Sequence, residues 1–519
     1  SILTTQSPTV REYAQEYAEF LYSSPTSYHC ADQAGQMLAE GGFVEVDRRE
    51  DWPTEPGRYF VVEDGALVAW VQFEGALGFA LTATHTDSPA LKLKPLPQKT
   101  SSDGWGQIMV ETYGGPLNNS WLDRTLRLAG AVVDWDGNRR LVCSDAIAFL
   151  PQLAPHLGRE VNTKGLVLDP QKNMQPVWTI GDDRDLMGLV AQMAGFESAE
   201  EIAASELFLV PAQPPEIFGV DDQFLMSGRQ DNLSSVFAGL HALTSITGSG
   251  GEKLLDRDAW AGGRIPVLAL FDHEEIGSGT PTGARGPLLE EVMRRICLAT
   301  GIYGDGRDQT RANSVLLSAD AAHSVNPGYE DKHGPKERPV MGGGPVLKVD
   351  ADQSYATSLE GVATWRKACR NADVPSQVFV SHSSMRPGST VGPLLATRLG
   401  IQTVDVGIPI LAMHSTRETC HVLDPVYLAR AIAAFWWDDP VRVDVWLWTS
   451  RQFKSRSLAT SAVRAGHVRV NDAPVKASFK VVPGDVIRIR DHGFDKIVEV
   501  VSLPPKRLGA PLAREAYID

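Results

Sequence analysis

Cysteine is scarce in this chain and never closely paired. The 519 residues hold five, at Cys30, Cys143, Cys297, Cys369 and Cys420, with no C-x-x-C pair. An odd, scattered set argues against a disulfide framework and against a zinc site built from thiolates. Any metal would have to be held by His, Asp and Glu. Long apolar runs are also missing. No stretch of about 18 apolar residues exists, which argues against a helical membrane span. The opening segment SILTTQSPTVREYAQEY lacks a basic stretch followed by an apolar core. No secretory signal is visible there, and a cytoplasmic location is expected.

Positive charge is in deficit overall, with 49 Lys and Arg against 64 Asp and Glu, a net charge of -15. The deficit is uneven. Residues 441–519 carry 14 basic and 8 acidic residues (+6), whereas the rest carries 35 and 56 (-21). A basic tail on an acidic body suggests a separate partner for the tail, nucleic acid being one, although a solvated basic surface has the same composition. Hydrophobic residues at 43% are ordinary for a globular chain, and the length allows two or three domains.

The pattern along the chain suggests an α/β body. VREYAQEYAEFLY (10–22) has helical spacing of Tyr13, Tyr17, Phe20 and Leu21. RYFVVEDG, ALVAWVQF and GFALTATH read as successive strands, the first two joined by a turn at Glu63-Asp64-Gly65. Segments IPVLALFD (265–272), NSVLLSAD (313–320) and TVDVGIP (403–409) read as buried strands. Helical stretches lie between them, and a helix is expected to open at Asp231. Residues 94–220 break this texture with short alternating segments, read as a β-rich insertion. The expected domains are a discontinuous catalytic unit (1–93 and 221–437), the β-rich unit (94–220) and a C-terminal module (441–519). Pro440 is expected to close the preceding helix.

Several strand ends carry metal-ligating residue types. His85-Thr86-Asp87 follows FALTAT, Glu274-Glu275 follows VLALFDH, Asp320 follows SVLLSA, His414 follows PILAM, and Asp231 follows a loop. Ligands gather where the ends of neighbouring strands converge in α/β sheets. Imidazole and carboxylate suit zinc. Two metals about 3.5–4 Å apart would polarise a carbonyl and activate a water between them. One further carboxylate must stay free to move the proton. A single His at a strand end is more often a packed residue, and a Glu-Glu pair is usually solvated surface. Spacing does not establish convergence.

The ordered motifs resemble the aspartyl aminopeptidases over about 10–436. They include SPTSYH (24–29), ATHTDSPALKLKP (83–95), ETYGGPLNNSWLDR (111–124), LPQLAPHLGREVN (150–162), GRQDNLSSV (228–236), FDHEEIGS (271–278), SADAAHSVNP (318–327), GGPVLKV (343–349), RPGSTVGP (386–393) and AMHSTRE (412–418). The resemblance implies two zinc ions per subunit, with manganese or cobalt as substitutes. It assigns His85, Asp231 and Asp320 to one ion and Asp231, Glu275 and His414 to the other, with Asp231 shared. It makes Glu274 the general base and Asp87 the acid that orients His85. Lys348 and Tyr355 fall near the substrate, the Lys348 ammonium favouring an N-terminal Asp or Glu. His156 is implied to reach a neighbouring subunit's site and stabilise the oxyanion. The implied fold is an α/β sandwich interrupted by a β-rich dimerisation domain. The implied assembly is a dimer and then a dodecamer acting on peptides. Met385 and Arg386 stand where the family pattern differs, so pocket shape is expected to differ too.

Residues 441–490 are similar to the S-four-type RNA-binding domain of ribosomal proteins, especially its ribosome-associated heat-shock form. Basic residues alternate with Trp446, Leu447, Phe453 and Leu458, and HVRVN and DVIRIR then alternate as strands around Asn471-Asp472 and Gly484-Asp485 turns. The resemblance implies a small α+β fold whose Arg451, Lys454, Ser455, Arg456, Arg464 and Lys480 contact structured RNA or the ribosome through phosphate and shape. Two other readings have distinct signatures. A dinuclear amidohydrolase would cleave N-acyl amino acids. An RNA-binding protein on an inert peptidase-like scaffold would bind RNA and cleave nothing.

Overall fold

A computed structural model describes residues 3–438, 441–504 and 507–519. Pro440 lies outside the described residues. The centre of the molecule is a nine-stranded sheet. Its order is 44–45, 57–63, 66–72, 264–271, 78–85, 315–319, 402–407, 346–348 and 377–379. The four strands 264–271, 78–85, 315–319 and 402–407 run parallel, so their C-terminal ends share one edge. Every residue of Gly78–His85 and of Val315–Ala319 is buried. That explains their continuous apolar texture, since helices cover both faces of a parallel sheet. The 57–63 and 66–72 strands form the anticipated hairpin, with Asp64 at φ 54° in its turn.

The helix Pro8–Tyr22 starts at a proline suited to the first helical turn and buries Tyr13, Tyr17, Phe20 and Leu21. Tyr17 stacks on Phe237 of the helix Gln230–Ser249, with ring centroids 5.6 Å apart. The helix Leu423–Trp436 packs beside that second helix. Residues 90–211 form a closed barrel in the order 204–211, 90–100, 105–113, 177–180, 139–149 and 125–133. It has its own core, which includes Leu91, Ile108, Leu128, Val142 and Leu209. The chain is therefore an α/β sandwich with a β-rich unit inserted after the strand that ends in His85.

Residues 441–519 form a small α+β module. Helices Val443–Thr449 and Arg456–Arg464 accompany a five-stranded sheet in the order 473–474, 468–470, 486–491, 494–500 and 517–518. Trp446, Leu447, Val463, Ile487 and Val498 fill its core. Asn471 and Asp472 both have positive φ (50° and 65°), as a two-residue hairpin turn requires. The strand Phe494–Val500 is absent from the sequence reading. Its hairpin turn is His492-Gly493, with φ 48° and 84°, outside the usual Asn-Gly and Asp-Gly signals. The module docks on the α/β body. Arg430 Nη1 pairs with Asp485 Oδ1 at 2.9 Å, and Thr9 Oγ1 donates to Glu499 Oε1 at 2.7 Å. No helix among the described residues is long and apolar enough to cross a membrane.

Candidate metal centre

The shared sheet edge gathers the acids and histidines. His85 is the last residue of its strand and lies level with Phe271 on the neighbouring one. Asp320 follows Val315–Ala319, and Glu274 and Glu275 sit in the short turn after Arg264–Phe271. His414 arrives from the loop beyond Pro409–Ile410. Gly407 makes room for this arrangement. A Cβ there would fall 1.6 Å from the Asp320 carbonyl oxygen, so no other residue lets the 402–407 strand pass.

Asp231 stands in the middle. The helix does not open at this residue, as its sequence position suggested. Asp231 (φ -84°, ψ 100°) and Asn232 (φ -125°, ψ 22°) are non-helical, and regular helix begins after them. The extended backbone turns the carboxylate to both sides. Its Oδ1 lies 3.3 Å from His85 Nε2, and its Oδ2 lies 2.9 Å from His414 Nε2. His85 Nε2 is also 3.3 Å from Asp320 Oδ2 and 3.4 Å from Glu274 Oε2, and His414 Nε2 is 3.3 Å from Glu275 Oε2. Two groups of three follow, His85/Asp231/Asp320 and Asp231/Glu275/His414, in each of which the ligand atoms lie within 4.8 Å of one another. A third group, His85/Glu274/Glu275, also meets that distance. The first two share Asp231 and leave Glu274 out.

The donor set fits divalent cations. His85 Nε2, Asp231 Oδ1 and Glu275 Oε1 are buried without a hydrogen-bond partner among the described residues. His85 Nε2 faces three carboxylate oxygens but is aimed at none of them, as atoms around a common centre would be. Burial alone would lower the His85 imidazolium, yet Asp320 and Glu274 raise it well above its ordinary value. Burial pushes Glu274 up to about 8, with Asp320 and Asp231 adding to the rise and His85 opposing it. Burial drives Glu275 well above the usual carboxylate range, and Asp231 adds to it. So much buried negative charge calls for cationic compensation.

A further set of groups fixes the ligands. Asp87 Oδ1 is 3.2 Å from His85 Nδ1, and the same carboxylate accepts from the backbone of Glu274 and Glu275 and from Tyr113 Oη. His414 Nδ1 is 2.9 Å from the Gly115 carbonyl oxygen. Glu418 escaped the sequence reading although it closes the AMHSTRE motif. Its Oε1 accepts from the Asp231 N–H at 3.2 Å and its Oε2 from the His414 N–H at 2.8 Å, and it is buried. Two ligands 183 residues apart therefore hang on one carboxylate. Only a residue-by-residue scan for buried acids beside the ligand segments could have suggested it.

The substrate candidates fall in different places. Lys348 is buried, not a surface lysine, and its Nζ donates to the Ala321 carbonyl at 2.9 Å. It lies close enough to Asp320 to lower that carboxylate against the larger effect of burial. Tyr355 is buried, with its ring 5.4 Å from Lys348 Nζ. His156 is exposed in the segment after the Arg139–Phe149 strand and makes no side-chain contact with the centre among the described residues. Met385 and Arg386 are exposed.

In the C-terminal module, Lys454, Arg456, Arg464 and Lys480 are exposed, and their side chains have no hydrogen bond or ion pair among the described residues. Two other candidates are already engaged. Arg451 Nε donates to the Leu508 carbonyl, and the Ser455 hydroxyl caps the following helix by accepting from the Leu458 N–H.

Comparison with known proteins accounts for both halves. The family model "Aminopeptidase I zinc metalloprotease (M18)" matches residues 20–436, and the S4 domain model matches 441–487. A probable M18 family aminopeptidase 2 from Streptomyces coelicolor is 44% identical over 432 residues, covering 82% of this chain and 98% of the relative. The Mycobacterium tuberculosis protein of the same description is 39% identical over 435 residues, 81% and 97% of the two chains. These matches leave no room in either relative for a second module. A cryo-EM structure of an Ape4 and Nbr1 complex has a TM-score of 0.77 at 32% identity, covering 84% of this chain and 87% of the other. A dodecameric S. cerevesiae mApe1 structure has a TM-score of 0.70 at 27% identity, covering 81% and 95%.

Proposed function

Because the chain belongs to the M18 family of zinc aminopeptidases, we propose that it removes N-terminal residues from peptides at a two-cation centre built on Asp231. The observation that carries this reading is the split carboxylate of Asp231, one oxygen toward His85 and the other toward His414. His85 and Asp320 would complete one cation site, and Glu275 and His414 the other. Zinc fits the imidazole and carboxylate donors, and manganese or cobalt are substitutes.

A bound pair of cations supplies Lewis acidity to the scissile carbonyl and to a water at the centre. Glu274 accepts the proton of the attacking water and delivers it to the departing amine. Its carboxylate lies beside His85 yet outside the two groups that share Asp231, which leaves it free for both tasks. Asp87 holds His85 through Nδ1 and fixes the turn that carries Glu274 and Glu275 through their backbone N–H groups. Lys348, a buried cation near Asp320, draws an acidic side chain and so favours N-terminal Asp or Glu, and Tyr355 helps to hold it. His156 serves a neighbouring subunit, stabilising the oxyanion there. Self-association, up to a dodecamer, is supported by the dodecameric neighbour. The C-terminal module binds structured RNA through Lys454, Arg456, Arg464 and Lys480, supported by the S4 match and by the unpaired charges.

The test is an activity profile with Asp-, Glu- and Leu-linked chromogenic amides and with N-acyl amino acids, beside Glu274→Gln. The expected result is metal-dependent release of N-terminal residues, reduced about 10²–10⁴-fold in the variant with metal content unchanged. Turnover of N-acyl amino acids alone would overturn the assignment.

A further inference from the structure

The junction between the peptidase body and the C-terminal module forms a half-open cleft of about 250 Å³. Helices Pro8–Tyr22, Gln230–Ser249 and Leu423–Trp436 form one wall, and the 482–484 turn and the end of the Phe494–Val500 strand form the other. The lining is mainly apolar, with Ile246, Ala433, Trp437, Leu503 and Ile518 among its side chains. Polar groups interrupt it, Arg430, Tyr13 and several acids among them. Arg430 is 8% exposed, and only its Nη1 is paired, with Asp485. Its Nε and Nη2 are buried without a partner among the described residues. Those two nitrogens form one edge of the guanidinium, the fork that grips a carboxylate with two parallel hydrogen bonds. The Tyr13 hydroxyl, also in the lining, is likewise buried and unpartnered. The acids Glu12, Glu16, Asp438 and Glu499 also line it, Glu12, Glu16 and Asp438 exposed at its mouth and Glu499 half-buried, accepting from Thr9. Burial raises both Glu16 and Glu499 above the usual range, and neighbouring carboxylates add to the rise.

These groups select a ligand by its charges. A plain anion meets three glutamates. A plain cation leaves the Arg430 edge unsatisfied, which costs as any buried unpaired donor does. A molecule with one charge of each sign and an apolar body satisfies both. The space exceeds the ~150 Å³ of an apolar cavity that takes benzene, so a single bulky side chain fits. We propose that this seam is a binding site for a free α-amino acid with a bulky apolar side chain, its carboxylate on Arg430 and its ammonium toward Glu16 and Glu499. The site is separate from the metal centre. Part of its wall is the helix Gln230–Ser249, whose regular turns begin just after Asp231 and Asn232, so one helix runs between both places. Amino acids are also what an aminopeptidase releases, so the seam would sense product.

The test is calorimetric titration of the full, metal-loaded chain with L-phenylalanine, 2-phenylethylamine and 3-phenylpropanoate. Two fillers on different helices, Ala433→Phe and Ser245→Phe, separate seam binding from any binding at the metal centre. The expected result is a saturable event for phenylalanine that both fillers abolish while peptide turnover stays within twofold. The two single-charge probes should bind this site at least tenfold more weakly. Arg430→Met should also weaken it at least tenfold. Because that variant loses the Asp485 pair as well, Glu499→Gln provides an independent check, with weaker binding expected there too. Three results would each overturn the proposal: no event that the fillers remove, an amine that binds as tightly as the zwitterion, or an acid that does so.

Discussion

The replacement of Glu418 by Gln isolates one contact of the centre without changing its volume. In the parent, both carboxylate oxygens accept, one from the Asp231 N–H and the other from the His414 N–H. Burial and the Asp231 charge push Glu418 up to about 8, and a divalent cation beside it restores the ionised form that this pairing requires. Gln offers one acceptor and one NH₂. Its oxygen should keep the shorter bond, to His414, and its NH₂ then meets the Asp231 N–H head-on. A buried donor left unpaired costs about 1–3 kcal/mol. In the metal-free protein the 412–418 loop can relax, and the N–H groups find other acceptors. Bound cations pin both ligands, so the cost falls on the loaded state. At about 1.4 kcal/mol per tenfold, metal affinity should drop by ~5- to ~150-fold, a span that brackets the roughly 10–100-fold typical of groups that orient ligands. Competition against a calibrated zinc chelator measures it, and metal-induced thermal stabilisation gives a second reading. Zinc affinity within twofold of the parent would refute the reasoning, because Glu418 would then be mere packing.

Three other outcomes are expected. Lys348→Met should lower the kcat/KM ratio of Asp- and Glu-linked over Leu-linked amides at least tenfold, as the loss of one charged hydrogen bond implies, and an unchanged ratio would remove Lys348 from substrate selection. Changing Lys454, Arg456 and Arg464 to Gln should weaken structured-RNA binding across sequences and flatten the log-log salt slope by about 0.9 per residue, read by fluorescence anisotropy. His241 is lowered by burial to about 4, with Arg430 contributing. Below about 6.5 the unfolded chain takes up the proton that the folded chain refuses, so stability falls as pH drops from about 6.5 toward 4. His241→Phe should recover up to ~2.5 kcal/mol of the loss between pH 7.5 and 4.5 in urea unfolding, and an identical loss in both proteins would contradict the assignment.

Much of this architecture could be read in advance because it rests on local rules. Fully apolar strands such as Gly78–His85 and Arg264–Phe271 announce a covered parallel sheet, and acids or histidines just past their ends announce where a site can form. What escaped depends on contacts that spacing does not encode. Asp231 looked like the first residue of a helix because its neighbours have helical periodicity, whereas its own backbone obeys two distant imidazoles. Glu418 serves backbone N–H groups, which every residue possesses and no motif marks. The Phe494–Val500 strand hid behind a His-Gly turn. Docking through Arg430 and Asp485 joins two modules that each look self-sufficient.

The barrel between Ala90 and Pro211 joins its last strand to its first, and the central sheet ends in strands of two and three residues, 44–45 and 377–379. The sheet's ends are thus too short to template a neighbour's backbone, whereas the barrel strand Arg139–Phe149 pairs along one side with 125–133 and meets 177–180 only at Phe149, which leaves a row of its peptide groups without a strand partner among the described residues. Two kinds of contact are open to copies of this chain, backbone pairing along that strand and side-chain contact through the barrel's loops, where Leu153, Leu157 and Val167 stand 63%, 76% and 89% exposed. Contact through those side chains can be broken one residue at a time without unravelling a fold, so assembly of that kind should be separable from catalysis by point substitution.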